Sequence, residues 1–214
     1  MNRHKESEFL AHWLRMRSDE GGATSLERLS DSDWDSLVQR SERHRVTPLL
    51  YQRLKSLRPK ASIPSRVAKL LQEAYLQSAM RNLRLYDELS KVLRLLENEG
   101  IPVIVLKGAY LAEIVYGNIA LRPMDDVDLL VRRNDLSRVE KILMELDYNI
   151  PKNSKTESWS HAHLPPFTKP GSCAFEIHWT LPPAHPFRID VDGLWKRARP
   201  ATIRWWRWRD WSGC

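Results

Sequence analysis

Cysteine is scarce: Cys173 and Cys214 are the whole complement of this 214-residue chain. Two thiols cannot build the disulfide framework of a small secreted domain, and they fit a reducing compartment better than an oxidising one. Long apolar runs are missing too, and none approaches the ~18 consecutive apolar residues that a membrane-spanning helix needs. The first residues, Met1–Glu8, have no apolar signal core behind them. These absences predict a soluble, cytoplasmic protein with no membrane partner. There is no Gly-x-x-x-x-Gly-Lys-Ser/Thr phosphate loop, no Gly-x-Ser-x-Gly elbow and no Cys-x-x-Cys pair. Internal repeats and low-complexity tracts are absent as well.

What is present is enough for a globular core: 42% of residues are apolar and 29% charged. The net charge of +7 is unevenly placed. Residues 196–214 hold six Lys/Arg against one Asp, which leaves the rest of the chain near +2. A basic surface for long nucleic acid is therefore not expected.

Apolar periodicity predicts helices through the first hundred residues. Phe9, Leu10, Trp13 and Leu14 form a stripe at helical spacing, broken at Gly21-Gly22. Ser30, three residues ahead of Asp33, reads as a capping signal for a helix carrying Trp34, Leu37 and Val38. Pro48 sits near the start of a helix with Leu49, Leu50, Leu54 and Leu57, and Pro59 and Pro64 bracket a linker. From Ser65 to about Asn98 one long helix is predicted, with Gly100 as the C′ residue beyond its end.

The pattern then changes. Pro102-Val103-Ile104-Val105-Leu106 has the length and β-branching of a strand, and Ala109 to about Tyr116 reads as a short helix stopped by Gly117-Asn118. Val127–Val131 is a second strand, and Asn134 or Asp135 caps a helix bearing Val139, Ile142, Leu143 and Leu146. Tyr148 and Ile150 begin another strand. Ala174–Trp179 alternates apolar and polar residues, as a half-buried strand does. Strands alternating with short helices predict a mixed α/β core behind a helical N-terminal region.

The stretch richest in chemistry is Arg122-Pro123-Met124-Asp125-Asp126-Val127-Asp128-Leu129. Asp126 and Asp128, two apart on a strand, share a face. Neighbouring carboxylates repel, and a divalent cation such as Mg²⁺ relieves that repulsion. Lys107-Gly108 lies at a strand-to-helix turn, where glycine lets backbone approach a ligand and the helix offers N–H groups to phosphate. Glu176, between Phe175 and Ile177, faces away from those apolar side chains and supplies a third carboxylate. Arg122 has two readings, a bidentate phosphate clamp or an ion pair with Asp125 or Asp126. His178 also has two, a substrate contact or a structural hydrogen bond. His161-x-His163 with Cys173 matches no strong zinc pattern.

These blocks in order, Lys-Gly, then Arg-Pro-Met-x-Asp-Val-Asp-Leu-Leu-Val, then Phe-Glu-Ile-His-Trp, resemble the uncharacterised nucleotidyltransferase family within the DNA polymerase β-like superfamily. The resemblance spans roughly residues 85–200. It implies an α+β fold, a helical N-terminal region followed by a mixed sheet flanked by helices. It also implies transfer of a nucleoside monophosphate from an NTP, ATP above all, to an unidentified acceptor hydroxyl with release of pyrophosphate. Asp126, Asp128 and Glu176 match the metal-binding and catalytic carboxylates, with two Mg²⁺ ions expected. Lys107 and Gly108 stand where the superfamily usually places Gly-Ser, and with Arg122 they would bind the triphosphate. The alternative is a catalytically impaired nucleotide- or partner-binding protein of the same fold.

The expected organisation is a helical region over residues 1–98, able to dock a protein partner, a nucleotidyltransferase-like core over 99–200, and an irregular tail over 201–214, with two readings: an interfacial or nucleic-acid segment, or a truncated end with no role of its own. That tail holds Arg204-Trp205-Trp206-Arg207-Trp208-Arg209, with neither a helical face nor strand alternation.

Overall fold

The computed structural model describes residues 28–57, 63–151, 162–181 and 189–201, together with 10, 11, 14 and 26. Gly21-Gly22, Pro59, His161 and the Trp/Arg tail lie outside the described residues, as do Phe9 and Trp13 of the first stripe. Among the described residues no helix is long and apolar enough to cross a membrane.

The chain is α+β, with six helices and a three-stranded mixed sheet among the described residues. Two compact units divide it: one takes the chain up to Asn82 together with Tyr116–Pro123, the other Leu83–Val115 and the chain from Met124 onward.

In the first unit, α1 (Asp31–Arg43) begins on a full capping box. The Ser30 hydroxyl accepts from the Asp33 backbone N–H, and the Asp33 carboxylate accepts from the Ser30 N–H at 3.0 Å. Those hydrogen bonds, side chain first, hold the Asp33 carboxyl below its usual range. Helix α2 (Thr47–Leu57) carries Pro48 in its first turn, where a missing N–H is harmless. The first-unit core joins Trp34, Leu37 and Val38 of α1 to Leu50 and Leu54 of α2, with Val67 and Leu71 of α3 (Ser65–Asn98) and with Leu10 and Leu26. Asn82, fully buried in α3, donates to the Ile119 and Arg122 carbonyls, anchoring a short 3-10 turn at Ile119–Leu121.

The long helix ends as its sequence predicts: Gly100 adopts φ +64° and its N–H bonds back to Glu97. The second unit then begins its sheet. Strand β1 (Val103–Val105) pairs antiparallel with β2 (Asp126–Val131), Val103 opposite Val131, and β2 pairs parallel with β3 (Ala174–His178). Every residue of β2 after Asp126 is buried. Helix α4 (Lys107–Ile114) follows β1 and is tied to α3 by the Tyr86 hydroxyl, which donates to the Ala109 carbonyl. Helix α5 (Leu136–Glu145) buries Val139, Ile142 and Leu143. Helix α6 (Val191–Arg197) is capped by Asp190 and held by Arg132, which stacks 4.3 Å from the Trp195 ring and pairs with Asp192.

Three local expectations are corrected. Helix α4 starts at Lys107, two residues before Ala109. Asp135 does not cap α5: its backbone is already helical, and its carboxylate pairs with Arg138 at 3.0 Å instead. Tyr148 and Ile150 open no strand; Asn149 makes a single bridge to Thr168, and one bridge does not propagate a ladder.

Candidate metal centre

The site forms on one face of the second unit's sheet. Because β2 and β3 run parallel with Asp128 opposite Glu176, the two carboxylates leave the sheet side by side. His178, two residues beyond Glu176 on the same strand, repeats that direction. The apolar residues between them, Val127 and Leu129 on β2 and Phe175 and Ile177 on β3, are buried, and this fixes the register.

Asp128 is the centre of the cluster. Its side chain is only 6% exposed, and its Oδ1 accepts from Lys107 Nζ at 2.5 Å and from His178 Nε2 at 2.9 Å. Burial pushes the Asp128 carboxyl up, but the hydrogen bonds from His178 and Lys107, and then their charges, outweigh it and hold the group below its usual range. Glu176 Oε2 lies 3.6 Å from His178 Nε2. One ligand atom each from Asp128, Glu176 and His178 fall within 4.8 Å of one another, so the three can hold a metal ion together. The fit is chemical as well as geometric, since two carboxylates and an imidazole are donors that hold divalent ions.

Lys107 reaches Asp128 from the first residue of α4. Its backbone sits at φ +42°, a left-handed conformation rare for a side chain with a Cβ. The left-handed residue at this turn is the lysine, while Gly108 occupies the second position of α4.

Asp126 occupies the exposed first position of β2, opposite Ala174, and is not in the close cluster. Arg122 belongs to the first unit, where its carbonyl accepts from Asn82 and its Nε is buried with no partner among the described residues. Neither His163 nor Cys173 joins the cluster. The His163 ring lies 5.0 Å from that of His178, and burial pushes the Cys173 thiol up to about 11. His178 is the site member that carboxylate reasoning left undecided. The signal was there in Glu-x-His, because period-two geometry puts both side chains on one face.

The sequence matches the family described as uncharacterised nucleotidyltransferase over residues 30–207, most of the chain. No curated protein and no solved structure matches it.

Proposed function

Since this chain belongs to the uncharacterised nucleotidyltransferase family, we propose that it moves a nucleoside monophosphate from an NTP, ATP foremost, to an acceptor hydroxyl. The acceptor oxygen attacks the α-phosphorus in line. Its new O–P bond forms as the bond from that phosphorus to the bridging oxygen breaks, and pyrophosphate leaves. Glu176 takes the acceptor's proton. Asp128 and Glu176 would hold a Mg²⁺ ion, and Asp126, on the same face of β2, would extend the set toward a second. Bound there, divalent ions neutralise the triphosphate and lower the pKa of the attacking hydroxyl. Lys107 supplies a positive charge for the triphosphate, and the first turn of α4 at Gly108 offers backbone N–H groups.

The observation that carries the proposal is the register of β2 against β3, which sets Asp128 beside Glu176 on rigid strands. The test is incubation with labelled NTPs, Mg²⁺ and a panel of hydroxyl acceptors, following pyrophosphate release. The double variant Asp126→Ala plus Asp128→Ala should lose roughly 100-fold or more in rate, since even outer partners of a metal site are worth 10–100-fold. Activity that survives it overturns the assignment.

One observation favours a second reading, a nucleotide-binding protein without turnover. Lys107 already neutralises Asp128 in the way an ion would. ATP binding unaffected by chelation, with no pyrophosphate released, would select that reading.

A further inference from the structure

Beside the two carboxylates stands a group that an all-oxygen Mg²⁺ site does not need. The His178 imidazole is 3% exposed, and its Nε2 lies 2.9 Å from Asp128 Oδ1 and 3.6 Å from Glu176 Oε2. Those separations can be set against coordination geometry. An ion with bonds of about 2.1 Å spaces adjacent donor atoms about 3.0 Å apart when octahedral and about 3.4 Å when tetrahedral. The nitrogen therefore already stands at ligand–ligand distances from both carboxylates. A histidine serving only to brace Asp128 would need one carboxylate near it, and Asp128 Oδ1 is already served by the Lys107 ammonium. The far nitrogen, Nδ1, is buried and has no hydrogen-bond partner among the described residues. No second bond ties the ring to the tautomer that keeps its proton on Nε2.

We propose that His178 Nε2 is a direct ligand of the ion held by Asp128 and Glu176, and that the centre therefore takes Mn²⁺ in preference to Mg²⁺. This rests on the reading of Asp128 and Glu176 as a metal site. The chemistry follows from donor softness. Mg²⁺ prefers oxygen and keeps its water, whereas an imidazole nitrogen favours first-row transition ions. Among those, Mn²⁺ also suits carboxylates, so two oxygens and one nitrogen on a rigid sheet discriminate in its favour. Rigidity matters because β2 and β3 hold the donors in place before the ion arrives.

The test uses the full chain, with Mn²⁺ as the probe and Mg²⁺ as its competitor. Binding is followed by loss of the free-ion electron paramagnetic resonance signal, and pulsed measurements read nitrogen coupling to bound Mn²⁺. Expected is a directly coordinated histidine nitrogen in the wild type that disappears in His178→Gln and persists in His163→Gln. His178→Gln should also weaken Mn²⁺ binding by about 10- to 100-fold, the range for lost metal-site partners, and narrow the preference over competing Mg²⁺. Bound Mn²⁺ that is lost in Asp128→Asn yet shows no nitrogen coupling overturns the His178 assignment and leaves the carboxylate site standing. No binding of either ion overturns both. Should His178→Gln fail to fold, the wild-type coupling and its survival in His163→Gln are still read on folded protein, and their absence still sinks the proposal.

Discussion

Lys107 concentrates two physical demands in one residue. Its backbone occupies the left-handed region at φ +42°, which disfavours any residue with a Cβ by roughly 1–2 kcal/mol, and its ammonium meets the buried carboxylate of Asp128. Glycine would ease the first demand and forfeit the second. Lys107→Met keeps the backbone but leaves Asp128 with His178 as its neighbouring donor, so the Asp128 carboxyl pKa should rise from its lowered value. The sign follows from linkage. A carboxylate whose folded pKa is depressed contributes stability that is complete above its unfolded value and lost as pH falls through the folded one. In Lys107→Met that contribution shrinks, and the acid limb of unfolding moves to higher pH. At pH 7 we expect about 1 kcal/mol lower stability and a Tm about 2–4 °C lower. Denaturation midpoints measured against pH check this, and an unchanged acid limb would show that the pair is unimportant. Asp126 and Asp128 were both legible as one face of one strand. Their difference was not: only the pairing of β3 with β2 buries the second and leaves the first exposed.

At the scale of elements, α3 shows how much local sequence can specify. Its length, its apolar stripe and its glycine terminator were all readable, because each depends on neighbours within a few residues. The role of Asn82 was not readable, since its partners are the carbonyls of Ile119 and Arg122, far along the chain. Asn82→Ala removes both hydrogen bonds and strands two carbonyls, and should destabilise the chain by about 2–4 kcal/mol. Urea unfolding measures this directly; a loss within error would mean that water replaces the amide. The corrections at Asp135 and Tyr148 differ in origin. Asp135 is taken by Arg138, three residues on, whereas the single bridge from Asn149 to Thr168 is a contact from farther along the chain.

For the whole molecule, the informative feature is how the chain is shared between two compact units. Helix α3 passes from one to the other after Asn82, and Tyr116–Pro123 leaves the second unit to join the first. Leu85, Tyr86, Leu89, Val92 and Leu96 therefore lie in the same unit as the sheet, and all are buried. A fragment starting at residue 99 lacks them and should give no cooperative thermal transition, as circular dichroism would show. A sharp transition for that fragment would place the core elsewhere. Periodicity, capping and strand alternation act over short range, and they were enough to specify α1 to α5, the three strands, their order, the three blocks of the family pattern and the acidic face of β2, though not α6. Which carboxylates meet depended on contacts between distant parts of the chain. Those contacts drew Lys107 onto Asp128, brought His178 to the same oxygen and left Arg122 in the other unit. Parallel pairing across some fifty residues sets that geometry, and its register is fixed by buried apolar side chains rather than by the charged ones it brings together.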